Sequence, residues 1–328
     1  MRVLVTGGAG YIGQFCVRRL LESGHAVTIL DRRPVPPGLR GNAAAIRGEL
    51  SDEAMVERVL RDGQIEAVLH LAGDKSVADA MVQPGPHLRN NVCGTISLLE
   101  AMRRARVTRI VFSSSAAVYG TPEKLPVTED ALLRPENPYG SSKVMIEQIL
   151  LWYHVCHELD SVSLRYFNAA GAADDCSIGE DPAAAPNLVP RVMEALIDRA
   201  DPLQVFGTDF PTFDGTAIRD YVHVEDLARA HVLALAHLAS RRGTEVLNLG
   251  TGKGSSVLEV IRAAEAAAGR PVPFQLAPRR AGDPAAIWAD TTKANEILGW
   301  RAERDLDDIV RTAWAWHAKR GVDQARTP

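Results

Sequence analysis

The sequence predicts an α/β fold built on a doubly wound parallel sheet, with a smaller C-terminal α/β region. Two observations carry this prediction. Short apolar runs alternate with helical patterns through the first half, and a glycine-rich turn joins the first run to the first predicted helix. Strands that are buried on both faces read as near-continuous apolar runs, and the helices between them cover the sheet.

The elements follow in a regular order from the N-terminus. The first strand is predicted at residues 3–5, and a helix follows over residues 11–23, with Gly24 in a C-cap position. The apolar runs that predict further strands lie at residues 26–30, 67–70, 109–112 and 162–165. Between these runs, helices are predicted near residues 52–62, 88–105 and 138–158. Asn137 and Pro138 suit the N-cap and first position of the last helix.

The alternation weakens after Gly171, where residues 171–190 are rich in Ala, Asp, Pro and Gly and read as a loop. The chain of 328 residues is long enough for one large or two modest domains. We therefore predict a first domain over residues 1–170 and a smaller one over residues 171–328. Residues 220–249 are predicted to return to the first domain.

Composition and charge exclude several classes of protein. A formal net charge of −4 without a basic stripe argues against a nucleic-acid partner. We expect no signal peptide, because residues 1–6 run directly into a strand, and no apolar run approaches the roughly 20 residues of a membrane span. The four cysteines are widely spaced and form no metal-type pair: Cys16, Cys93, Cys156 and Cys176. We therefore expect a cytoplasmic protein with reduced cysteines, no metal and no membrane contact.

The turn after the first strand contains four glycines, Gly7, Gly8, Gly10 and Gly13. Their spacing fits both Gly-x-Gly-x-x-Gly and Gly-x-x-Gly-x-x-Gly, which let the backbone approach a pyrophosphate at a helix N-terminus. Asp31 ends the second predicted strand, where a carboxylate binds the adenosine ribose hydroxyls and repels the extra phosphate of NADP. The pattern predicts a Rossmann-type domain that binds NAD, although Arg32 and Arg33 leave NADP tolerance open.

Three further residues point to proton chemistry. Tyr139 and Lys143 lie four residues apart and share one face of a predicted helix. A neighbouring cation stabilises a phenolate, and lowering a tyrosine pKa from about 10 to about 7 takes ~4 kcal/mol. Ser115 follows the strand of residues 109–112, at the sheet edge where ligands bind. Together these residues predict a proton-handling tyrosine, an orienting lysine and a hydroxyl partner beside a nicotinamide cofactor.

Longer motifs surround these residues. The glycine turn, residues 113–120 (SSSAAVYG) and Tyr139-x-x-x-Lys143 resemble the extended short-chain dehydrogenase/reductase superfamily. Four more segments are similar to UDP-glucose (UDP-galactose) 4-epimerases: residues 165–172 (RYFNAAGA), 179–182 (GEDP), 214–224 (DGTAIRDYVHV) and 277–283 (APRRAGD). The resemblance extends from Met1 to about Trp316.

The resemblance implies an isomerase that epimerises a UDP-hexose at C4 through a transient 4-keto sugar, with NAD bound throughout. Tyr139, as phenolate, would take the proton of the sugar 4-hydroxyl while hydride leaves C4, and Ser115 would bind the 4-oxygen. Lys143 would bind the nicotinamide ribose and lower the tyrosine pKa. Residues 1–170 would bind NAD and residues 171–328 the UDP-sugar. The family also implies a homodimer paired through the helices near residues 88–105 and 138–158.

The same resemblance assigns the binding residues. Those expected to bind the cofactor are Gly7, Gly10, Tyr11, Ile12, Gly13, Asp31, Glu49, Leu50, Leu71, Ala72, Gly73, Lys75, Asn90, Ser113, Tyr139, Lys143 and Tyr166. Those expected to bind the substrate are Lys75, Ser115, Tyr139, Asn168, Asn187, Leu188, Phe206, Arg219, Arg280, Asp283 and Ile287. Arg219 and Arg280 match diphosphate-binding arginines, Lys75 a lysine near the cofactor phosphates, and Phe206 would lie near the uracil.

The sequence departs from the family pattern at three positions. Glu49 stands where an aspartate often contacts adenine, and Ala117 replaces a frequent threonine. Ile287 stands where a tyrosine or a smaller residue has been linked to sugar size. Isoleucine is shorter than tyrosine, so the sequence predicts acceptance of UDP-GlcNAc as well.

Three alternatives stay open at this stage. A nucleotide-sugar 4,6-dehydratase needs an acidic pair after the serine strand, and Ala116 and Ala117 at those places argue against it. The residues do not separate a UDP-hexose epimerase from one that acts on a UDP-pentose or a UDP-uronic acid. A non-catalytic NAD-binding sensor would have little reason to keep the tyrosine, lysine and serine together.

The apolar face of Ile146, Ile149, Leu150 and Tyr153 fits either a dimer contact or sheet packing.

Overall fold

The structure is a computed structural model that describes residues 1–39, 43–181, 187–197, 202–280 and 282–325. Its strands are β1 (Arg2–Thr6), β2 (Ala26–Asp31), β3 (Ala43–Arg47), β4 (Ala67–His70), β5 (Arg109–Ser113), β6 (Asp160–Tyr166), β7 (Asn168–Ala170), β8 (Leu203–Phe206), β9 (Ile218–Arg219), β10 (Tyr221–His223), β11 (Thr244–Leu249), β12 (Ser255–Ser256), β13 (Phe274–Ala277) and β14 (Ala286–Ile287). Its helices are α1 (Tyr11–Glu22), α2 (Glu53–Asp62), α3 (Val77–Val82), α4 (Pro84–Leu88), α5 (Gly94–Ala105), α6 (Pro138–His157), α7 (Leu188–Leu196), α8 (Val224–Ser240), α9 (Val257–Ala268), α10 (Thr292–Leu298) and α11 (Leu306–Ala325).

The central sheet has seven parallel strands in the order β11-β6-β5-β4-β1-β2-β3. Strands β2 and β3 follow β1 on one side, whereas β4, β5, β6 and β11 lie on its other side. Because the strand order reverses between β1 and β4, a crevice forms at the carboxyl ends of these two strands. Apolar residues of α1 and α8 pack on one face, and those of α2, α5 and α6 pack on the other. The predicted doubly wound parallel α/β sheet is therefore confirmed.

The helix predicted near residues 88–105 differs from the expectation. It is divided into α4, a π-helical turn over Arg89–Cys93, and α5. The turn contains Asn91, whose side chain forms two hydrogen bonds with the backbone of Asp74. Its amide oxygen accepts the Asp74 N–H at 2.8 Å, and its amide nitrogen donates to the Asp74 carbonyl at 3.0 Å. A π-helical turn is a common way to direct one side chain away from a regular helix face. Here it ties the helix to the loop after β4.

Helix α6 begins as predicted, because Asn137 accepts a hydrogen bond from the Gly140 N–H at 2.8 Å and Pro138 opens the first turn. Ile146 and Leu150 are buried against the sheet, and Ile149 and Tyr153 pack beside them. The apolar face named from the sequence is thus a sheet-packing face. A second set of apolar side chains on α6 is exposed, and it comprises Met145, Leu151, Trp152 and Val155.

The C-terminal half adds a core formed mainly by α7, α9 and α11, which lies beside short two- and three-stranded sheets. Strand β11 adjoins β6 at the edge of the central sheet, and α8 packs with α1 in the same layer. All four cysteines carry free thiols. Within the described ranges, no helix combines the length and apolar character needed to cross a bilayer.

Candidate active site

The glycine turn between β1 and α1 leaves no room for side chains at two positions. Gly7 has a φ of +74°, and a Cβ there would lie 2.6 Å from the backbone N of Ala72. A Cβ on Gly13 would lie 2.2 Å from the carbonyl oxygen of Gly7. Only glycine fits both places, because a Cβ would collide with backbone atoms at each of them, and Gly7 also has a positive φ that other residues avoid. The result is a tight turn that brings the N-terminal end of α1 to the wall of a cleft. The first N–H groups of a helix have no partner within that helix, so this end suits an anion.

Asp31 ends β2 and is almost fully buried. One carboxylate oxygen accepts the Ala9 N–H at 3.0 Å, and the other accepts the Arg33 N–H at 2.9 Å. These bonds fix the carboxylate beside the glycine turn and leave each oxygen with a further lone pair. Ribose hydroxyls are suitable donors for those lone pairs. Arg32 points away to an ion pair with Asp74, 2.6 Å long.

A cleft of about 1200 Å³ runs from Asp31 past the glycine turn to Tyr139. With the exception of Ser113, every residue predicted to bind the cofactor lines it. The cleft thus combines a glycine turn in which side chains would collide with the backbone, a helix N-terminus that suits a diphosphate, and a buried carboxylate that suits a ribose. These residues fit NAD, and they do so at the position that the strand order predicts for a dinucleotide.

Tyr139 and Lys143 line the cleft, and Ser115 lies next to Tyr139. The Lys143 ammonium is buried and donates to the carbonyl oxygen of Ser113 at 2.9 Å. Its nitrogen lies 5.6 Å from the centre of the Tyr139 ring. The side chain of Ser115 hydrogen-bonds Tyr139, and its oxygen also accepts the Ala117 N–H at 3.2 Å. The three residues grouped from the sequence are therefore close in space.

Burial dominates the electrostatics of this group. It raises the pKa of Tyr139 above its ordinary value of 10, and the bond with Ser115 offsets only part of the rise. Burial also lowers the pKa of Lys143 to about 8, against the attraction of Glu147. The chain by itself thus does not give Tyr139 a low pKa. The positive charge of a bound nicotinamide would therefore be needed, together with Lys143, to stabilise the phenolate.

Glu147 continues the same helix face and was not identified from the sequence. Tyr139, Lys143 and Glu147 occupy three successive turns of α6. Their partners are the three consecutive serines after Phe112: Ser115 for Tyr139, the Ser113 carbonyl for Lys143 and Ser114 for Glu147. Ser114 donates to Oε1 of Glu147 at 2.5 Å. Arg165, from β6, binds the same carboxylate through two nitrogens at 2.6 and 3.0 Å. This buried pair fixes α6 against the ends of β5 and β6, so it positions the tyrosine and the lysine.

A second cluster forms from four residues predicted to bind the substrate. Arg280 donates to Asp283 at 2.8 Å, and Arg219 lies 3.8 Å from the same carboxylate. The Arg280 guanidinium also sits 5.0 Å from the centre of the Phe206 ring. The two guanidinium groups and one aromatic ring suit a diphosphate and a base. These four residues are outside the lining of the cofactor cleft.

The other predicted substrate residues have varied surroundings. Ile287 pairs with Arg219 across β14 and β9, and its side chain is buried in an apolar cluster with Tyr119 and Phe167. Asn168 begins β7 beside β10, and Leu188 begins α7. Asn187 precedes α7, and its amide donates to Glu180, a cleft residue that the sequence did not assign. Pro182 and Ala281, which belong to two of the motifs, lie outside the described residues.

Comparison with known proteins identifies the family. The NAD dependent epimerase/dehydratase family model matches residues 3–250. A UDP-glucose 4-epimerase of Lactobacillus helveticus is 45% identical over 324 residues, which cover 97% of each chain. A UDP-glucose 4-epimerase structure from Stenotrophomonas maltophila, with bound NAD and formylated UDP-arabinopyranose, is 41% identical, has a TM-score of 0.95 and covers 99% of each chain.

A second solved structure agrees in fold and in size. The UDP-glucose 4-epimerase of Bifidobacterium longum, in complex with NAD+ and UDP, is 42% identical and has a TM-score of 0.92. The match covers 97% of this chain and 98% of that one. The chain therefore belongs to the NAD dependent epimerase/dehydratase family and, within it, to the UDP-glucose 4-epimerases.

Proposed function

We propose that the protein is an NAD-dependent UDP-glucose 4-epimerase, which interconverts UDP-glucose and UDP-galactose through a transient 4-keto sugar. The observation that carries this proposal is that Tyr139 and Lys143 line a cleft that fits NAD, with Ser115 beside the tyrosine. The end-to-end similarity to UDP-glucose 4-epimerases supports the choice of substrate.

When bound, NAD supplies the acceptor for the C4 hydride and returns that hydride to the keto sugar. Tyr139 takes the proton of the sugar 4-hydroxyl and later gives it back. Ser115 binds the 4-oxygen and holds it near the tyrosine oxygen. Lys143, fixed by the Ser113 carbonyl, provides a buried positive charge beside the ring of Tyr139.

The remaining binding roles follow from the two clusters. We propose that the glycine turn and the start of α1 hold the cofactor diphosphate, and that Asp31 holds the adenosine ribose. Arg219 and Arg280 would hold the UDP diphosphate, beside Phe206 for the uracil. This arrangement anchors the nucleotide and leaves the sugar free to present either face. We retain the division into an NAD-binding part, residues 1–170 with 220–249, and a UDP-sugar-binding part in the rest of residues 171–328.

The direct test is to incubate the purified protein with UDP-galactose, without added cofactor, and to analyse the product sugar. We expect UDP-glucose to form until the two sugars reach equilibrium, because the retained NAD is restored in each turnover. Protein that retains NAD but leaves UDP-galactose unchanged would point instead to a binding or sensing role.

The range of sugars is tested separately. With Ile287 in place of a larger tyrosine, we expect turnover of UDP-GalNAc as well as UDP-galactose. The matched variant Ile287→Tyr should lose the first activity and keep the second, because the family resemblance links a tyrosine at this position to a smaller sugar pocket. Parallel assays of both sugars measure this, and absence of UDP-GalNAc turnover in the unaltered protein would refute it.

We also propose a homodimer that forms through the outward faces of α5 and α6. Large apolar side chains are exposed on these helices: Ile96, Met145, Leu151, Trp152 and Val155. Such a concentration is typical of a protein–protein contact. We further propose that the enzyme acts in galactose and carbohydrate metabolism in the cytoplasm, where its free thiols stay reduced.

The dimer is tested by placing a charge at its proposed centre. Trp152 is 66% exposed, so Trp152→Glu is expected to leave the fold intact and to convert the dimer into a monomer. Leu132→Glu, at a loop residue that is 62% exposed, is the matched control and should remain dimeric. Sedimentation velocity measures both, and a dimeric Trp152→Glu variant would exclude this surface.

A further inference from the structure

Glu180 is a buried carboxylate in the wall of the cofactor cleft. It lines the cleft, although only 5% of its side chain is exposed. Its backbone is held by α11: a Cβ on Gly179 would lie 2.5 Å from the ring of Trp316, and Trp316 donates to the Glu180 carbonyl at 3.3 Å. The side chain therefore enters the cleft from a fixed backbone.

One oxygen of this carboxylate accepts hydrogen bonds from two residues of the expected binding sites: Lys75, which is expected to contact the cofactor phosphates as well as the substrate, and Asn187, which is expected to contact the substrate alone. Lys75 donates to Oε1 at 2.7 Å, and the Asn187 amide donates to the same oxygen at 3.4 Å. Lys75 follows β4, and Asn187 precedes α7. Glu180 thus bridges the cofactor side and the substrate side of the site.

Burial of the Glu180 carboxylate in this wall lowers the stability of the fold. Burial raises the pKa of Glu180, and Lys75 and Asn187 oppose that rise. The second oxygen, Oε2, is buried without a hydrogen-bond partner among the described residues. A buried carboxylate that is only half satisfied destabilises a fold. Its presence at the junction of two binding sites favours a role in binding.

Charge balance explains why an acid is compatible with a diphosphate site. An isolated carboxylate would repel phosphates, but the ion pair with Lys75 is neutral. The lysine ammonium has three N–H donors, so two remain for phosphate oxygens after one is given to Glu180. Lys75 is itself 49% exposed, and without Glu180 its long side chain would be free to extend into solvent.

We propose that Glu180 is a positioning residue that holds Lys75 toward the cofactor phosphates and Asn187 toward the UDP-sugar, and so couples the two binding sites. The inference rests on the proposed function, since the roles expected of Lys75 and Asn187 come from the same resemblance to UDP-glucose 4-epimerases. It adds a residue whose effect on each ligand passes through a different partner.

The first measurement uses Glu180→Gln in the NAD-loaded protein. Glutamine keeps the shape and one acceptor oxygen but removes the charge. We expect release of NAD, followed by gel filtration over time, to become faster by about tenfold, and UDP binding, followed by calorimetry, to weaken by about tenfold. Glu180→Asp keeps the charge, so its rate of NAD release and its UDP affinity should lie between those of Glu180→Gln and the unaltered protein.

Double-mutant cycles separate positioning from a general structural effect. In a Lys75→Met background, Glu180→Gln should no longer change NAD release, and in an Asn187→Ala background it should no longer change UDP affinity. If Glu180 had only a structural role, Glu180→Gln would change NAD release and UDP affinity by the same factor in every background, and this result would overturn the proposal. Unchanged NAD release and UDP affinity in the single variant Glu180→Gln would also overturn it. If Lys75→Met alone leaves NAD release unchanged, the assignment of Lys75 fails together with the proposal. If Lys75→Met speeds release and Glu180→Gln does not, only the inference about Glu180 fails.

Discussion

Tyr139→Phe is expected to lower turnover by about 10³- to 10⁴-fold, while the protein keeps its fold and its NAD. The substitution removes one oxygen, which is the group that we assign to moving the proton of the sugar 4-hydroxyl. The aromatic ring remains to pack 6.1 Å from His87, and Lys143 keeps its bond to the Ser113 carbonyl. Steady-state kinetics, cofactor content and thermal unfolding together measure the result.

Tyr153→Phe is the matched control for this experiment. It makes the same chemical change on the same helix, at a hydroxyl that bonds Glu100 outside the site. We expect its turnover to stay close to that of the unaltered enzyme. Activity of Tyr139→Phe within about tenfold of the unaltered enzyme, an effect of only ~1.4 kcal/mol on the barrier, would refute the role assigned to the tyrosine.

Glu147→Gln is expected to lower the free energy of unfolding by about 3–5 kcal/mol. The side chains of Glu147 and Arg165 are 7% and 4% exposed, so the variant leaves the guanidinium buried without its carboxylate. Burial of an unpaired charge costs far more than an exposed pair contributes. Urea unfolding, followed by circular dichroism, measures the change.

Two comparisons make that prediction specific. Glu147→Gln combined with Arg165→Met removes both charges and should recover much of the loss, because no unpaired charge remains. Glu123→Gln breaks an exposed pair with Arg134 and should change the unfolding free energy little. A loss of less than ~1 kcal/mol for Glu147→Gln would mean that the pair does not hold α6 in place.

The sequence predicted the central sheet and the cofactor cleft because their signals are local. The glycine turn, Asp31 and the apolar runs each lie within a short stretch of chain, and parallel strands bring their carboxyl ends together. The helix start at Asn137 is equally local, since the cap and its N–H partner are three residues apart. Such features depend little on the remainder of the fold.

The residues that the sequence did not reveal depend on contacts between distant segments. Arg165 reaches Glu147 across 18 positions, and Lys75 reaches Glu180 across 105. The repeat of four from Tyr139 through Lys143 to Glu147 was a usable signal for the first pair. The second pair had no comparable signal, because its geometry is set by the packing of Trp316 against Gly179. The π-helical turn at Asn91 likewise follows from a bond to the loop after β4.

The central claim is that the sugar is oxidised and reduced again at C4 within one site. The most direct measurement is conversion of UDP-galactose that carries deuterium at C4, in ordinary water, followed by mass and NMR analysis of the UDP-glucose formed. The account predicts that the product keeps its deuterium at C4, because the hydrogen that leaves is the one that returns. UDP-glucose with solvent hydrogen at C4 would contradict it.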